Sequence, residues 1–215
     1  MEHISKTLEA YRNGTLDLKN WPDGLTPEAE KESQRRSLNI MSLNNTFENF
    51  KAVEGTKKSL ATFQELLTKP DWFMLLVYGK AGCGKTHLCE AFSIELAKKG
   101  IRCPVFEWSE LVRDFKKLMR SDIKDAYDAR FEMMRRLERL IIDDVGQGSV
   151  GSNWEWGELE DIVNYRYRNN LMTIVTTNLD IKALPPRIIS RFRDAVKSRM
   201  VVIDAGDYRP LKKEN

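Results

Sequence analysis

Eight consecutive residues in the first half of the chain have the composition of a phosphate-binding loop. They read Gly-Lys-Ala-Gly-Cys-Gly-Lys-Thr, directly after an apolar run at 72–78 and before a helical pattern. Glycine-rich turns let backbone N–H groups face a phosphate at a helix N-terminus. Lysine supplies positive charge for the β- and γ-phosphates, and the threonine hydroxyl is a ligand suited to Mg²⁺. The motif therefore predicts a site for a nucleoside triphosphate with Mg²⁺. Its expected residues are Gly79, Lys80, Ala81, Gly82, Cys83, Gly84, Lys85, Thr86 and His87.

Two carboxylates follow a second buried-strand pattern. The apolar run 140–142 continues directly into Asp143 and Asp144. At the end of such a strand, Asp143 is expected to hold Mg²⁺ through water and Asp144 to polarise the water that attacks the γ-phosphate. Paired acids can also simply end a strand at a polar loop, but the neighbouring phosphate-binding motif favours the catalytic interpretation.

Composition limits the classes of protein that fit. The 215 residues suffice for one α/β core with a small appendage, and the net charge of +3 means that any nucleic-acid contact must come from local patches. The cysteines, at 83, 89 and 103, lack metal-ligand spacing and are expected to be free thiols in a reducing cytosol. No apolar run is long enough to span a bilayer and the N-terminus lacks a signal-peptide pattern, so we expect a cytoplasmic protein without a membrane partner.

Alternating strand and helix patterns predict an α/β fold with a parallel sheet. Residues 1–44 have too few apolar positions for a core, and we interpret them as a helical partner-docking appendage, the alternative being a partly disordered tail. Thr26 and Pro27 are typical of a helix start, with the helix expected to run to about Leu38. Strands are expected near 72–78, 102–108, 140–144, 171–178 and 199–203, with helices at 2–13, 57–69, 88–99, 109–139 and 158–169, and a Gly- and Trp-rich loop at 146–157.

An ordered set of motifs between about Asn45 and Arg209 resembles the AAA+ ATPases of the bacterial helicase-loader group, the DnaC-like proteins and the related IstB transposition helpers. The resemblance implies an AAA+ ATPase domain at 45–215, with a parallel five-stranded sheet flanked by helices and a truncated lid. Besides the phosphate-binding loop, the motifs are Thr46-Phe47-Glu48-Asn49-Phe50, Ile141-Ile142-Asp143-Asp144-Val145-Gly146, Arg166-Tyr167-Arg168-Asn169, Thr176-Thr177-Asn178-Leu179, Arg187-Ile188-Ile189-Ser190-Arg191-Phe192 and Asp207-Tyr208-Arg209.

The resemblance also implies roles for single residues. Asn178 takes the place of sensor 1, the polar residue that positions the lytic water. Arg191 takes the place of the arginine finger, which reaches the γ-phosphate of a neighbouring subunit, so activity requires self-association. Arg187 and Arg193 lie close by in the sequence, and any of these arginines can instead make a structural salt bridge. Asp144 is shorter than the glutamate common across AAA+ proteins, which suits slow hydrolysis.

Some residues leave two interpretations open. Phe47 and Phe50 either flank the adenine or belong to the core, and Trp154 and Trp156 either anchor their loop or contact a partner. Arg209 either reaches the nucleotide or lies at the surface.

The region 111–139 is where loaders and initiators carry helices that touch single-stranded DNA. Here it holds four cations that can track phosphates, with Phe115 available to stack on a base. Interspersed acids make a solvated amphipathic helix the alternative. The cations are Arg113, Lys116, Lys117 and Arg120.

The resemblance, together with these features, implies an ATP-dependent loader of a hexameric replicative DNA helicase. The appendage would hold the helicase, ATP binding would switch assembly and contact with single-stranded DNA, and hydrolysis would favour release. One alternative is an IstB-like transposition helper ATPase that engages a transposase and duplex DNA. Others are a nucleotide kinase and an adaptor that binds ATP without hydrolysing it.

Overall fold

The computed structural model describes residues 27–68, 70–123, 125–146 and 153–208. The chain divides into two compact units, residues 1–34 and 35–215. Helix α1 spans Pro27–Leu38, as the proline signal predicts, whereas the helix expected at 2–13 lies outside the described residues. In those ranges no helix has the length and apolar character needed to cross a membrane.

The strands form one five-stranded sheet in the order β2-β3-β4-β1-β5, and every neighbouring pair is parallel. This confirms the predicted fold. All five strands lie within two residues of an expected run, except that β2 is shorter. Their bounds are Met74–Gly79 for β1, Val105–Glu107 for β2, Arg139–Val145 for β3, Met172–Thr177 for β4 and Ser198–Ile203 for β5.

Helices cover both faces of the sheet. The helical region expected at 109–139 was too long for one helix and consists of two: the first ends at Met119, and the second begins at Ala126 after Asp125, whose φ of 62° lies in the left-handed region. The loop expected at 146–157 was also too long: a helix begins at Asn153, so Trp154 and Trp156 lie in its first turn and pack against the core. The helices are α2 (Glu54–Leu66), α3 (Lys85–Lys98), α4 (Trp108–Met119), α5 (Ala126–Arg136), α6 (Asn153–Arg168) and α7 (Pro186–Phe192).

The core consists of two apolar clusters, one on each face of the sheet. Along β1, Leu75 and Val77 join the cluster with α2 and α3, whereas Met74 and Leu76 join the cluster with α4, α6 and α7. Alternate residues of a strand point to opposite faces, so a strand covered on both faces reads as a continuous apolar run. Leu38 and Ile40 belong to the first cluster, so the larger unit includes residues ahead of Asn45.

Arg166 on α6 forms hydrogen bonds both to the end of α5 and to the start of β4. Its fully buried guanidinium donates hydrogen bonds to carbonyl oxygens within residues 134–137, to the Met172 carbonyl and to the Thr173 hydroxyl. Burial lowers the pKa of Arg166 to about 9, which reflects the cost of removing a charge from water. The carbonyls offset that cost and fix the entry to β3 beside β4.

The cysteines at 83, 89 and 103 are buried free thiols, as their number and spacing predict. Burial raises the pKa of Cys103 to about 12 and also raises the pKa of Cys89. These two thiols therefore stay protonated and act as small apolar core residues.

Candidate functional site

The phosphate-binding loop joins β1 to α3. Gly84 caps the helix in the left-handed region, with φ of 101°, and a Cβ there would lie 2.8 Å from the Phe50 ring. Only glycine satisfies both conditions. The next residue, Lys85, is 6% exposed, and its Nζ donates to the carbonyl oxygens of Gly79 and Lys80, each at 2.8 Å. The loop thus holds a buried ammonium at the N-terminus of a helix, where anions bind.

Residues from three neighbouring strand ends meet at this ammonium. Lys85 Nζ donates to Asn178 Oδ1 at 2.5 Å, and the Asn178 amide nitrogen donates to the Asp144 carboxylate. Beside them, the Thr86 hydroxyl donates to Asp143 Oδ2 at 2.6 Å. The residues follow β1, end β3 and follow β4, at the carboxyl edge where open α/β sheets bind ligands. The structure therefore brings together four of the five residues that the sequence assigned to catalysis, together with Thr86, which it assigned to the metal.

Thr86 and Asp143 form a pair of oxygen donors suited to Mg²⁺. Because the hydroxyl donates a hydrogen bond directly to the carboxylate, their oxygens are close enough to bind the same ion. Hard divalent cations prefer such ligands, and Mg²⁺ in nucleotide sites uses one or two protein oxygens together with phosphate oxygens. The residues present fit the ion that the motif predicts.

The two acids sit at an irregularity in the sheet. The register of β3 with β4 shifts between Ile142 and Val145, and Asp144 has φ of 58°, in the left-handed region. The Thr176 hydroxyl on β4 donates to Asp143 Oδ1 at 2.5 Å and accepts from the Asp144 backbone N–H at 2.9 Å. Sequence reasoning missed Thr176. A hydroxyl in a strand covered on both faces must find a partner, and that requirement was the available signal.

Phe50 and His87 lie beside the loop. The imidazole Nε2 is 2.8 Å from the Thr46 carbonyl oxygen, and the two rings meet edge to face with centroids 5.2 Å apart. Phe50 and Phe47 are both partly buried against the core cluster on this face. Phe50 thus belongs to the core and also lies beside Gly84 of the phosphate-binding loop. Its contact with adenine stays a prediction.

The segment that follows β5 returns to the phosphate-binding loop. The Tyr208 backbone N–H donates to the Gly82 carbonyl at 3.1 Å. The Asp207 carboxylate lies so close to Gly82 that a Cβ there would be 1.8 Å from Oδ1. Gly82 is therefore required by this approach as well as by its φ of 75°. Arg209 lies outside the described residues.

Arg191 on α7 makes its contacts away from this cluster. Its Nε donates to Asn164 Oδ1 at 2.7 Å, and the guanidinium lies 5.0 Å from the centre of the Tyr167 ring. By comparison, the Arg187 side chain is 80% exposed and only 3.7 Å from Glu160, and Arg193 is exposed. A finger that acts on a neighbouring subunit needs no contact with its own site, so Arg191 stays a prediction with these two arginines as alternatives.

The four predicted DNA-binding cations line one exposed groove on α4, with a volume of about 560 Å³. Their spacing of three or four residues places them on the same side of the helix. Two of the four form ion pairs: Lys116 Nζ lies 2.7 Å from Glu155, and the Arg113 guanidinium lies 3.7 Å from Glu110. The groove consists of Arg113, Lys116, Lys117, Arg120 and Ser121.

Phe115 cannot stack on a base. Its side chain is fully buried on the opposite side of α4, where it meets the rings of Tyr127 and Phe131 edge to face. The expectation was wrong because Phe115 follows Leu111 and Val112 at helical spacing and completes the apolar face.

Comparison with known proteins places this geometry in context. The family model described as the bacterial DnaA ATPase domain matches residues 41–202. An uncharacterized protein of Bacillus subtilis, YqaM, is 30% identical over 149 residues, covering 64% of this chain and 44% of that protein. The chromosomal replication initiator protein DnaA of Flavobacterium psychrophilum is 27% identical over 174 residues, covering 74% of this chain and 34% of that protein. The chain spans less than half the length of these curated relatives.

Solved structures show the same fold. A replication initiator DnaA bound to AMPPCP and single-stranded DNA superposes with a TM-score of 0.66 at 24% identity, covering 77% of this chain and 51% of that one. The DnaC helicase loader superposes with a TM-score of 0.64 at 23% identity, covering 75% of this chain and 98% of that one.

Proposed function

Because the chain belongs to the family of bacterial DnaA ATPase domains, we propose that it binds ATP with Mg²⁺ and hydrolyses it. The observation that carries this proposal is the connected cluster of Lys85, Thr86, Asp143, Asp144 and Asn178. It unites a cation for the phosphates, oxygen ligands for the metal and polar groups for the attacking water in one place.

Each side chain of the cluster has a distinct part in hydrolysis. Lys85 neutralises charge on the β- and γ-phosphates. Thr86 and Asp143 would hold Mg²⁺, which would neutralise further charge on the phosphate oxygens. Asp144 accepts a hydrogen bond from the attacking water, and Asn178 orients that water and the γ-phosphate. The short aspartate side chain and a finger supplied by another subunit make hydrolysis slow and dependent on assembly.

The nucleotide cycle, we propose, drives loading of a hexameric replicative helicase onto single-stranded DNA in the cytoplasm. The proposal is supported by the ordered motifs shared with the loader group and by the fold shared with the DnaC helicase loader. DnaA, which is a replication initiator, also shares the fold and has been seen with single-stranded DNA. The proteins named above do not support the transposition-helper alternative.

A binding experiment with purified proteins tests the helicase partner. Two versions are mixed with the replicative helicase of the source cell and ATP: the intact chain, and a chain that lacks residues 1–34. The deletion stops where the larger compact unit begins. We expect only the intact chain to form a stable complex, because the deleted residues make up most of the appendage 1–44 that is proposed to dock the helicase. If neither version binds the helicase, the loader proposal fails.

Release of free phosphate separates the ATPase from the two remaining alternatives. A nucleotide kinase requires an acceptor for the γ-phosphoryl group, and an adaptor binds ATP without turnover. We therefore expect phosphate release from ATP with no acceptor present.

The α4 groove is proposed to bind the phosphates of single-stranded DNA. Replacing Lys116 and Lys117 by glutamate is expected to weaken binding to an oligonucleotide about 10- to 100-fold at low salt, since two phosphate contacts are lost and two repulsions added. Fluorescence anisotropy at several salt concentrations measures the effect, and the salt dependence should become shallower.

The double substitution of Lys57 and Lys58 by glutamate is the matched control. These lysines are exposed on α2, so the variant has the same change in net charge elsewhere on the surface. It should bind the oligonucleotide nearly as tightly as the parent chain. Equal losses in both variants would mean that only net charge matters and that α4 is not the DNA site.

A further inference from the structure

One buried hydroxyl contacts both acids of the candidate site. The Thr176 side chain is 0% exposed. Its oxygen donates a hydrogen bond to the Asp143 carboxylate at 2.5 Å and accepts one from the Asp144 backbone N–H at 2.9 Å. Both capacities of the hydroxyl, as donor and as acceptor, are therefore used on neighbouring residues of β3.

The first of these bonds fixes the orientation of the Asp143 carboxylate. Oδ1 accepts from Thr176 and Oδ2 accepts from Thr86, so each oxygen has its own donor. Rotation of the carboxylate about its χ2 bond would break both. Because Thr86 and Asp143 are the proposed ligands of Mg²⁺, Thr176 determines which carboxylate oxygen is turned toward the metal position.

The second bond secures the backbone where the sheet is irregular. The register of β3 with β4 passes from the pair Ile142 and Val175 to the pair Val145 and Thr177, and Asp144 adopts a left-handed conformation between them. There the Thr176 hydroxyl accepts from the Asp144 N–H, where a regular ladder would use a carbonyl. The Asp144 side chain is thereby placed to accept from the Asn178 amide.

We infer that Thr176 is a positioning residue for ATP hydrolysis, which holds the metal-binding carboxylate of Asp143 and the water-orienting carboxylate of Asp144 through one hydroxyl. The inference rests on the proposed function. Thr176 touches neither substrate nor metal in this scheme, and its effect passes through the two acids.

Three variants separate positioning from stability. Thr176→Val keeps the shape and removes both hydrogen bonds, and Thr176→Ser keeps the hydroxyl. Thr173→Val is the control, since Thr173 is equally buried on β4 but its hydroxyl contacts Arg166 and the Leu171 carbonyl, at the opposite end of the strand. Thermal unfolding measures the stability of each variant.

Two readouts are taken from each variant: phosphate release, and the Mg²⁺ concentration that half-saturates binding of a fluorescent ATP analogue. For Thr176→Val we expect kcat to fall about 10- to 100-fold and the half-saturating Mg²⁺ concentration to rise about 10-fold, while analogue affinity at saturating Mg²⁺ changes little. Thr176→Ser should have a kcat and a half-saturating Mg²⁺ concentration close to those of the parent chain. Thr173→Val should lose stability but keep the parental kcat and Mg²⁺ dependence.

The outcomes distinguish the inference from the proposed function. If the parent chain releases no phosphate, the proposal that it hydrolyses ATP is wrong. The Mg²⁺ titration alone then decides whether Thr176 orients the metal ligand. If Thr176→Val matches Thr173→Val in both readouts, Thr176 has only a structural role and the inference is overturned.

Discussion

Replacing Lys85 by alanine is expected to lower ATP hydrolysis by at least about 100-fold. The ammonium is nearly buried and lies between two carbonyls of the phosphate-binding loop and the Asn178 amide oxygen. Loss of Lys85 therefore removes the cation that the site offers the β- and γ-phosphates, and binding of ATP should weaken with turnover.

Phosphate release and equilibrium binding of a fluorescent ATP analogue measure both losses. Lys99→Ala is the matched control, because Lys99 is an exposed lysine at the other end of the same helix. The control should retain parental activity. If Lys85→Ala still hydrolysed ATP at the parental rate, the loop would not be the ATP site.

Replacing Arg191 by alanine is expected to abolish most hydrolysis, about 1,000-fold, while leaving ATP binding intact. The proposed finger stabilises charge that develops on the γ-phosphate of a neighbouring subunit and plays little part in holding the ground state. Arg191→Ala and Lys85→Ala are then both inactive, but for different reasons: the first lacks a finger and the second lacks a nucleotide site.

Mixing the two inactive variants tests the action across subunits. In a head-to-tail assembly of equal amounts, about a quarter of the interfaces should join an intact nucleotide site to an intact finger, so about a quarter of the parental activity should return. Such recovery cannot come from a chain that has merely lost stability, although Arg191 also bonds Asn164. If mixtures with Arg187→Ala or Arg193→Ala recover activity and those with Arg191→Ala do not, the finger is another arginine.

Contiguous signals explain what the sequence made predictable. The phosphate-binding loop and the acids 143 and 144 are short runs that directly follow apolar strands. Neighbouring residues therefore sufficed to predict both their chemistry and the strands that support them. The parallel sheet followed from runs such as 72–78, which are apolar throughout because both faces are covered. The position of Asn178 came from the resemblance to the loader group, and in the structure this residue follows β4, the strand that neighbours β3.

Other features depended on contacts between distant parts of the chain. Thr176 meets the acids only because β4 pairs with β3, and no local pattern sets the irregular register that turns Asp144 toward it. Within the charged region 109–139, α4 ends at Met119 and α5 begins only at Ala126, after the left-handed Asp125, and no periodicity in the sequence marks that interruption. By contrast, the burial of Phe115 follows from its helical spacing with the apolar Leu111 and Val112, whatever charges surround it.

Loading of the replicative helicase onto a covalently closed single-stranded DNA circle tests the central claim most directly. A closed hexameric ring cannot thread onto a circle that has no ends, so bound helicase reports opening by a loader. With the intact chain and ATP, we expect far more helicase on the circle than with helicase alone, and no such gain with Lys85→Ala. If the parent chain hydrolyses ATP but leaves helicase loading unchanged, the protein is a replication-family ATPase with another task, and the loader proposal is contradicted.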